Sequence, residues 1–355
     1  MTGLIDQTYR RGARTRINRV IGDTGNLYRR KVRGMIDNAL WGSQRELALN
    51  SRPFLRWAGG KQRWLTSNSN KLPRFDGQYF EPFLGGGSIF FHLVRRESRP
   101  FSAWLGDTNR QLTRAYLDIK NDTETVIEGI ETIKAAYKAA TDKRQFYERV
   151  RESFNQALPK SYTPSFIFLN STCWNGLWRT NAKGWFNVPF GLPKSDDVFP
   201  TPDEIRAVGA ALSHSRIRAS SWQNIVSAAG KGDFVFLDPP YFSDSLQKGS
   251  PKYGTEHWGF DRHAELADML VLMQDRGVLF VLTNSSEEEM IGLYQSRGLQ
   301  ISHVMVPRAI NSRTDERQPV GEVIVSNAIA EDDRHWDAGV LLDLEMLRKS
   351  RQRPR

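Results

Sequence analysis

The stretch that most limits the architecture is the apolar run Phe234-Val235-Phe236-Leu237 followed directly by Asp238-Pro239-Pro240-Tyr241. An apolar run without polar alternation reads as a strand buried on both faces, the habit of a parallel sheet in an α/β protein. The two prolines lack the backbone donor that a ladder needs and restrict the residue before each of them. An acid, two backbone carbonyls and an aromatic ring are therefore fixed at the strand's carboxyl end, where open α/β sheets bind ligands. A carboxylate beside a carbonyl offers two acceptors to the two hydrogens of an amino group, and Tyr241 offers a face for a planar heterocycle. The same tetrapeptide also serves as a plain strand-ending turn, so other stretches have to decide between the two.

Upstream, Gln78 to Phe83 reads as a strand running into Leu84-Gly85-Gly86-Gly87-Ser88, with the apolar helix start Ile89, Phe90 and Phe91 beyond it. Glycines at such a turn let backbone approach a ligand closely. A second short strand, Ala103 to Gly106, ends in Asp107, an acid positioned for ribose hydroxyls. Strand, glycine turn, helix, strand and acid together point to an adenosine site. Earlier still, Trp57-Ala58-Gly59-Gly60-Lys61 has the look of a phosphate loop, but the GxxxxGK[ST] spacing is absent and Gln62 stands where a hydroxyl is required. That argues against a nucleoside triphosphate site and leaves an aromatic and a lysine flanking a glycine pair, suited to a small zwitterion or an adenine ring.

The segment from Phe166 to Lys194 interleaves Trp174, Trp178, Trp185, Phe186 and Phe190 with Arg179, Lys183 and Lys194, and adds Asn175, Asn181 and Asn187. Stacking rings with Asn and Arg for base edges are what duplex reading with base extrusion uses. An aromatic minicore with a solvated rim accounts for Phe166, Phe168 and some of the tryptophans. From Asn109 to Ala157 apolar residues recur at three- and four-residue steps, a helical core pattern. A Pro-flanked helix from Asp203 to Leu212, a strand near Ile217, a helix Arg262 to Gln274, a strand Val278 to Leu282, a helix Glu287 to Gln295 and strands Ile301 to Val306 and Val320 to Val325 follow. Phe242 to Phe260 reads as a polar loop over the site, and the arm Arg308 to Arg317, including Arg313, either touches phosphates or forms a solvated hairpin.

Net charge is +10, yet residues 1 to 50 hold ten Lys/Arg against four Asp/Glu, and residues 346 to 355 hold five against none. The intervening body is close to neutral, so any nucleic-acid groove has to concentrate its cations locally. The ends read as a basic N-terminal extension (1–50) and a C-terminal segment with a basic tail (331–355). Residues 1 to 33 are Arg-rich in the manner of a transit peptide, with scattered Asp and Gly against that reading. The single Cys173 rules out an internal disulfide, and the scattered His92, His214, His257, His263, His303 and His335 have no metal-ligand spacing, so no metal is expected. No secretory signal core or membrane-length apolar run is visible, and the chain is expected to be cytoplasmic and DNA-associated.

Phe54 to Lys61, Glu81 to Gly87, Asp107, the WNGLWR and FNVPFG blocks and DPPY together resemble the Dam-like DNA adenine methylases, the amino-methyltransferases of the D12 class, over about residues 51 to 330. The motif order is that of the alpha group. The resemblance implies a Rossmann-like, mostly parallel seven-stranded α/β methyltransferase sheet (51–108 and 215–330) that uses S-adenosylmethionine, with a helical target-recognition insert at 109–214. It implies that Trp57, Ala58, Gly59, Gly60 and Lys61 line the cofactor pocket together with Glu81, Pro82, Phe83, Gly85, Gly87, Ser88, Asp107 and Asp238, with Lys61 near the methionine carboxylate. Asp238, Pro239, Pro240 and Tyr241 are the implied catalytic set. Trp174 stands where the family has a tyrosine that enters the duplex. Asn175, Leu177 and Arg179 match base-contacting positions, and Lys183 and Arg313 are added as DNA contacts. The implied partner is double-stranded DNA, read at GATC or a related site by a monomer or by two copies at a palindrome.

Alternatives are an RNA or protein-amide methyltransferase, since the same four residues grip any planar amine, and a DNA-binding relative without turnover. Asp rather than Asn at the first motif position favours adenine in DNA. Sequence alone expects Asp238→Ala to lose methylation while keeping part of its cofactor binding, and Tyr241→Phe to keep much activity because stacking needs only the ring. A labelled-methyl transfer assay checks both.

Overall fold

The computed structural model describes residues 44–156, 162–242, 258–306 and 320–328. The chain divides into two units, Met1–Glu46 and Leu47–Arg355, and the fold described is that of the second. The basic arm through residue 43, most of the Phe242 to Phe260 loop, the arm bearing Arg313 and the C-terminal tail lie outside the described residues.

Among the described residues the strands are β1 (Tyr79–Glu81), β2 (Ala103–Asp107), β3 (Ser215–Ala219), β4 (Phe234–Leu237), β5 (Leu279–Ser285), β6 (Ile301–Val306) and β7 (Val320–Ser326). They form one sheet in the order β3-β2-β1-β4-β5-β7-β6. β1 to β5 pair in parallel, and β7 runs antiparallel between β5 and β6. From β1 the chain moves outward to β2 and β3, then returns to lay β4 on the other side of β1. That reversal makes the carboxyl ends of β1 and β4 a topological switch point, the place where such sheets open a ligand crevice.

The apolar run of β4 behaves as its lack of alternation requires. Phe234 and Phe236 enter the core on one face of the sheet, Val235 and Leu237 the core on the other, and all four are buried. The core on the Phe236 face takes in α1 (Gln62–Asn68), α2 (Ser88–Arg96), α3 (Arg110–Asn121), α4 (Thr123–Ala139), α5 (Lys143–Gln156), α6 (Tyr162–Thr172) and α7 (Pro202–Leu212), of which α3 lies against β2 and β3 while α4 to α7 pack mainly on α3 and on one another. The opposite face is covered by α8 (Trp222–Val226), α9 (Phe260–Asp275) and α10 (Glu288–Gln295). The helices between β2 and β3 thus share one hydrophobic core with the sheet.

Local chemistry explains the element ends. Asn109 accepts hydrogen bonds from the backbone N–H groups of Gln111 and Leu112 and so starts α3. Thr201 and Glu204 form a reciprocal capping box ahead of α7, whose first residue is Pro202. The helical stretch expected from Asn109 to Ala157 is in fact three helices, broken at Asp122, whose φ of −149° lies outside the helical region, and again at Ala140. Periodicity alone does not register such breaks because the apolar steps resume beyond them. The start of the aromatic segment, Phe166 to Thr172, is the buried end of α6, and α8 was not anticipated at all because its five residues are too few to show a period.

Trp64 of α1 is buried and meets Phe236 of β4 edge to face at 6.0 Å. Trp64→Ala is expected to lower the unfolding free energy by about 3–5 kcal/mol, the range for emptying a large aromatic site, as read from urea denaturation.

Candidate active site

Lys61 precedes α1 and Asp238 ends β4, and their charged groups meet: Lys61 Nζ lies 2.7 Å from Asp238 Oδ1, both side chains largely withdrawn from solvent. The Thr283 hydroxyl on β5 donates to the same oxygen at 2.8 Å. The Lys61 ammonium also stands 5.0 Å from the centroid of the Tyr241 ring, within cation–π range. The Tyr241 hydroxyl donates in turn to Glu322 Oε2 on β7 at 3.0 Å. Pro239 is buried and Pro240 exposed, as expected where the chain leaves the sheet. Thr283 and Glu322 carry no motif, and sequence reasoning passed over both; only the adjacency of β4, β5 and β7 reveals them.

The neighbouring strand end carries the glycine turn. Glu81, at the end of β1, is buried, and its Oε2 accepts from the Tyr79 hydroxyl at 2.8 Å and from the Phe90 N–H at 3.1 Å, fixing the first turn of α2. Gly87, at φ 69°, turns the chain into α2, and a Cβ there would meet Phe91 and the Tyr116 hydroxyl at 3.0 Å. Asp107, at the end of β2, accepts from the Gly85 N–H at 3.0 Å and from the Asn109 N–H at 2.8 Å, so it braces the turn. Trp57 lies against Gly85 and Gly86, where added Cβ atoms would come within 3.0 and 3.3 Å of it, and the Trp57–Gly60 turn closes with a Gly60 N–H to Trp57 carbonyl bond. Ser88 is buried beside Gly60, the buried Pro82 backs onto Gly106, and the half-buried Phe83 meets Trp258 edge to face at 5.3 Å. Ala58 and Gly59 complete the exposed bend of that turn.

Burial dominates the electrostatics. It pushes the Glu81 carboxyl up to about 8, with the Tyr79 hydrogen bond opposing and the Asp238 charge adding to the rise. It also raises Asp107, against the backbone N–H groups that hold it ionised, and raises Glu322, which Lys61 pulls back down. The Tyr241 phenol is held well above its usual value by burial and then by the nearby Asp238 and Glu322 charges. The site therefore gathers carboxyl groups whose ionised forms burial disfavours, and a positive charge brought among them would favour those forms.

The aromatic segment splits into buried and exposed parts. Trp178 packs on Phe166 and Phe186 at 4.2 Å and donates through Nε1 to Gln111, which seats it, half-buried, against the core. Trp174 and Asn175 are exposed, Trp174 at 53% of its surface, and Asn175 adopts a left-handed φ of 54°. Leu177 is half-buried. Arg179 donates to Asn187 at 2.9 Å on a small hairpin bridged at Thr180 and Phe186, and Lys183 lies 5.4 Å over the exposed Trp185 at its tip. The Trp174 turn is tied toward the glycine turn by Asn170, whose side chain accepts from the Arg56 N–H at 2.9 Å, donates to the Arg56 carbonyl at 2.8 Å and reaches the Gly176 carbonyl at 3.4 Å. The structure thus joins Trp57 to Lys61, Glu81 to Ser88, Asp107 and Asp238 to Tyr241 in one cluster, with Trp174 to Leu177 next to it through Asn170. Arg179 and Lys183 are placed on the separate hairpin. Arg313 lies outside the described residues.

The family model for D12 class N6 adenine-specific DNA methyltransferase matches residues 57–310 of this chain. The chain belongs to that family. This D12 methyltransferase is 30% identical over 289 residues to the type II methyltransferase M.MjaIII of Methanocaldococcus jannaschii, covering 78% of this chain and 99% of that protein. It is 30% identical over 280 residues to the DNA adenine methylase of Haemophilus influenzae (78% and 93% covered) and 29% identical over 276 residues to that of Escherichia coli K12 (77% and 94%). Family membership makes it an adenine-specific DNA methyltransferase, on a sheet of the mixed, mostly parallel kind expected. Among the described residues no group of His, Cys, Asp and Glu is arranged to hold a metal, and no helix is long and apolar enough to cross a membrane.

Because the fold raises the Glu81 carboxyl from 4.5 to about 8, it favours the neutral form. The stability linked to that proton is complete below about 4.5 and is lost as pH rises through about 8. Glu81→Gln, neutral throughout, is expected to flatten this part of the profile in melting curves of the ligand-free protein between pH 5 and 9.

Proposed function

We propose that this D12 methyltransferase transfers a methyl group from S-adenosylmethionine to N6 of an adenine swung out of double-stranded DNA, at GATC or a related short site. The observation that carries the reading is that the adjacent parallel strands β1 and β4 end, at one switch point, in the glycine turn braced by Asp107 and in the Asp238 carboxylate.

The chemistry of the residues fits the cofactor. Burial disfavours the ionised forms of Glu81 and Glu322, so a sulfonium cation brought among them is matched by drawing them toward the charged form, while Asp107 suits ribose hydroxyls and Lys61 is the cation for a methionine carboxylate. Trp57 with Ala58, Gly59 and Gly60 forms one wall of the pocket and Glu81, Pro82, Phe83, Gly85, Gly87 and Ser88 another. When bound, S-adenosylmethionine supplies an electrophilic methyl group. The protein's part is positioning. Asp238 and the Pro239 carbonyl accept the two amine hydrogens of adenine, which keeps the nitrogen lone pair free. Pro240 holds Tyr241 in place as the stacking face.

Swinging the base out costs a few kcal/mol in lost stacking and pairing, roughly, and is partly offset by that stacking and by a wedge left in the duplex. The exposed Trp174 is the wedge, Asn175, Leu177 and Arg179 contact bases, and Lys183 and Arg313 contact DNA, Lys183 from the hairpin tip. Residues 109–214 act as the recognition insert and 51–108 with 215–330 as the catalytic part. The enzyme works on DNA in the cytoplasm, as a monomer or as two copies at a palindromic site.

Offering duplex DNA, RNA and peptide with labelled cofactor tests the substrate class, and sequencing modified adenines from expressing cells identifies the site. Label on RNA or peptide alone sinks the reading. Asp238→Ala is expected to lose about a hundred- to a thousandfold in methyl transfer, the scale for removing a preorganised polar group at a reacting centre, while calorimetry still detects cofactor binding. Trp174→Ala is expected to weaken extrusion, read as a smaller 2-aminopurine signal at the target position.

A further inference from the structure

Stacking on an adenine requires only the ring of Tyr241, the ground on which the sequence alone expects Tyr241→Phe to keep much activity, but the structure gives the hydroxyl a partner and revises that expectation. The hydroxyl donates to Glu322 at 3.0 Å. Glu322 stands inside β7, opposite Ser285 of β5 on one side and Val304 of β6 on the other, so its backbone is fixed by two ladders. Its carboxyl is largely buried, where an ionised group is unfavourable unless it is partnered. The partners are the Tyr241 hydroxyl and, at longer range, the Lys61 charge.

The backbone just after Tyr241 is held as well. The Phe242 N–H approaches Asn284 Oδ1 at 3.4 Å, and the Phe242 carbonyl accepts from the Ser285 hydroxyl at 2.8 Å. Asn284 is buried and itself anchored, donating to the Tyr294 hydroxyl at 2.8 Å and approaching His263 Nδ1 at 3.2 Å. Tyr241 is thus tethered at both ends, by its following peptide to β5 and by its hydroxyl to β7, and Pro240 restricts the peptide before it. The Lys61 ammonium stands 5.0 Å from the centroid of the ring and pairs with Asp238, so the ring borders the cluster that would receive the amine.

We propose that Glu322 is a positioning residue for the target base: by holding the Tyr241 hydroxyl it fixes the plane of the ring on which the extruded adenine stacks beside Asp238. The inference rests on the function proposed above. A ring ordered in advance loses less freedom when the base arrives, an advantage of roughly three- to tenfold in capture for one immobilised side chain.

The test compares wild type with Tyr241→Phe, Glu322→Gln, Glu322→Ala and the Tyr241→Phe/Glu322→Ala double variant. Three readouts are used: single-turnover methylation of duplex DNA, 2-aminopurine fluorescence at the target adenine, and calorimetric binding of S-adenosylmethionine. Tyr241→Phe and Glu322→Ala are expected to lose methylation and alter the fluorescence by similar factors of roughly three- to tenfold. The double variant should fall no further, because both changes remove one interaction. Glu322→Gln, whose amide oxygen accepts the same hydrogen bond, should recover most of the loss, and cofactor binding should move little in all of them. A Tyr241→Phe enzyme with wild-type rate and fluorescence overturns the assignment, and this variant decides alone if Glu322→Ala does not fold. Losses that multiply in the double variant also overturn it. Wild type that methylates no duplex sinks the proposed function with it, whereas wild type that does, beside unaffected variants, sinks the Glu322 role alone.

Discussion

Everything near the site depends on β1 and β4 lying side by side. Their pairing, Tyr79 with Phe234 and Phe80 with Val235, joins segments far apart in the chain, and only then do a glycine turn and a Pro-Pro corner share one crevice. The pairing is maintained from both faces, with Phe234 and Phe236 in one core and Phe80, Val235 and Leu237 in the other. A strand committed to two cores cannot slip by one residue, since a slip exchanges the faces of every side chain. The register that delivers Asp238 to Lys61 is therefore set by hydrophobic packing, not by the ion pair itself.

The ion pair is better understood as what the packed sheet imposes on polar groups. Glu81 and Asp107 end their strands, Asp238 follows β4 and Glu322 lies within β7, and burial raises the carboxyls of Glu81, Asp107 and Glu322. Each has local donors: Tyr79 and Phe90 for Glu81, Gly85 and Asn109 for Asp107, Lys61 and Thr283 for Asp238, and Tyr241 for Glu322. Several of those donors are also structural, which is why the same carboxylates that suit a cation hold the glycine turn and the Tyr241 ring in place.

The strand-ending motif, the glycine turn and Asp107 were legible in the sequence because each is local: a run of apolar residues, a break, an acid. The seven strands were legible for the same reason, and the helix from Phe260 differed from its expected start by only two residues. Thr283, Glu322 and Asn170 were not legible. Each is an ordinary polar residue in its own segment and gains its place from partners on other elements, Asp238, Tyr241 and Arg56. The mixed nature of the aromatic segment was foreseen, but which tryptophan is core and which is exposed depends on where α6 ends and the Trp174 turn begins, and residue composition does not encode that boundary.

The link through Asn170 has a consequence for how this surface can vary over evolutionary time. Its amide pairs with the peptide group of residue 56, not with the arginine side chain. The identity at position 56 is thereby uncoupled from its location, so that exposed side chain can drift toward new chemistries while the adjoining indole at Trp57 keeps its seat against the glycines.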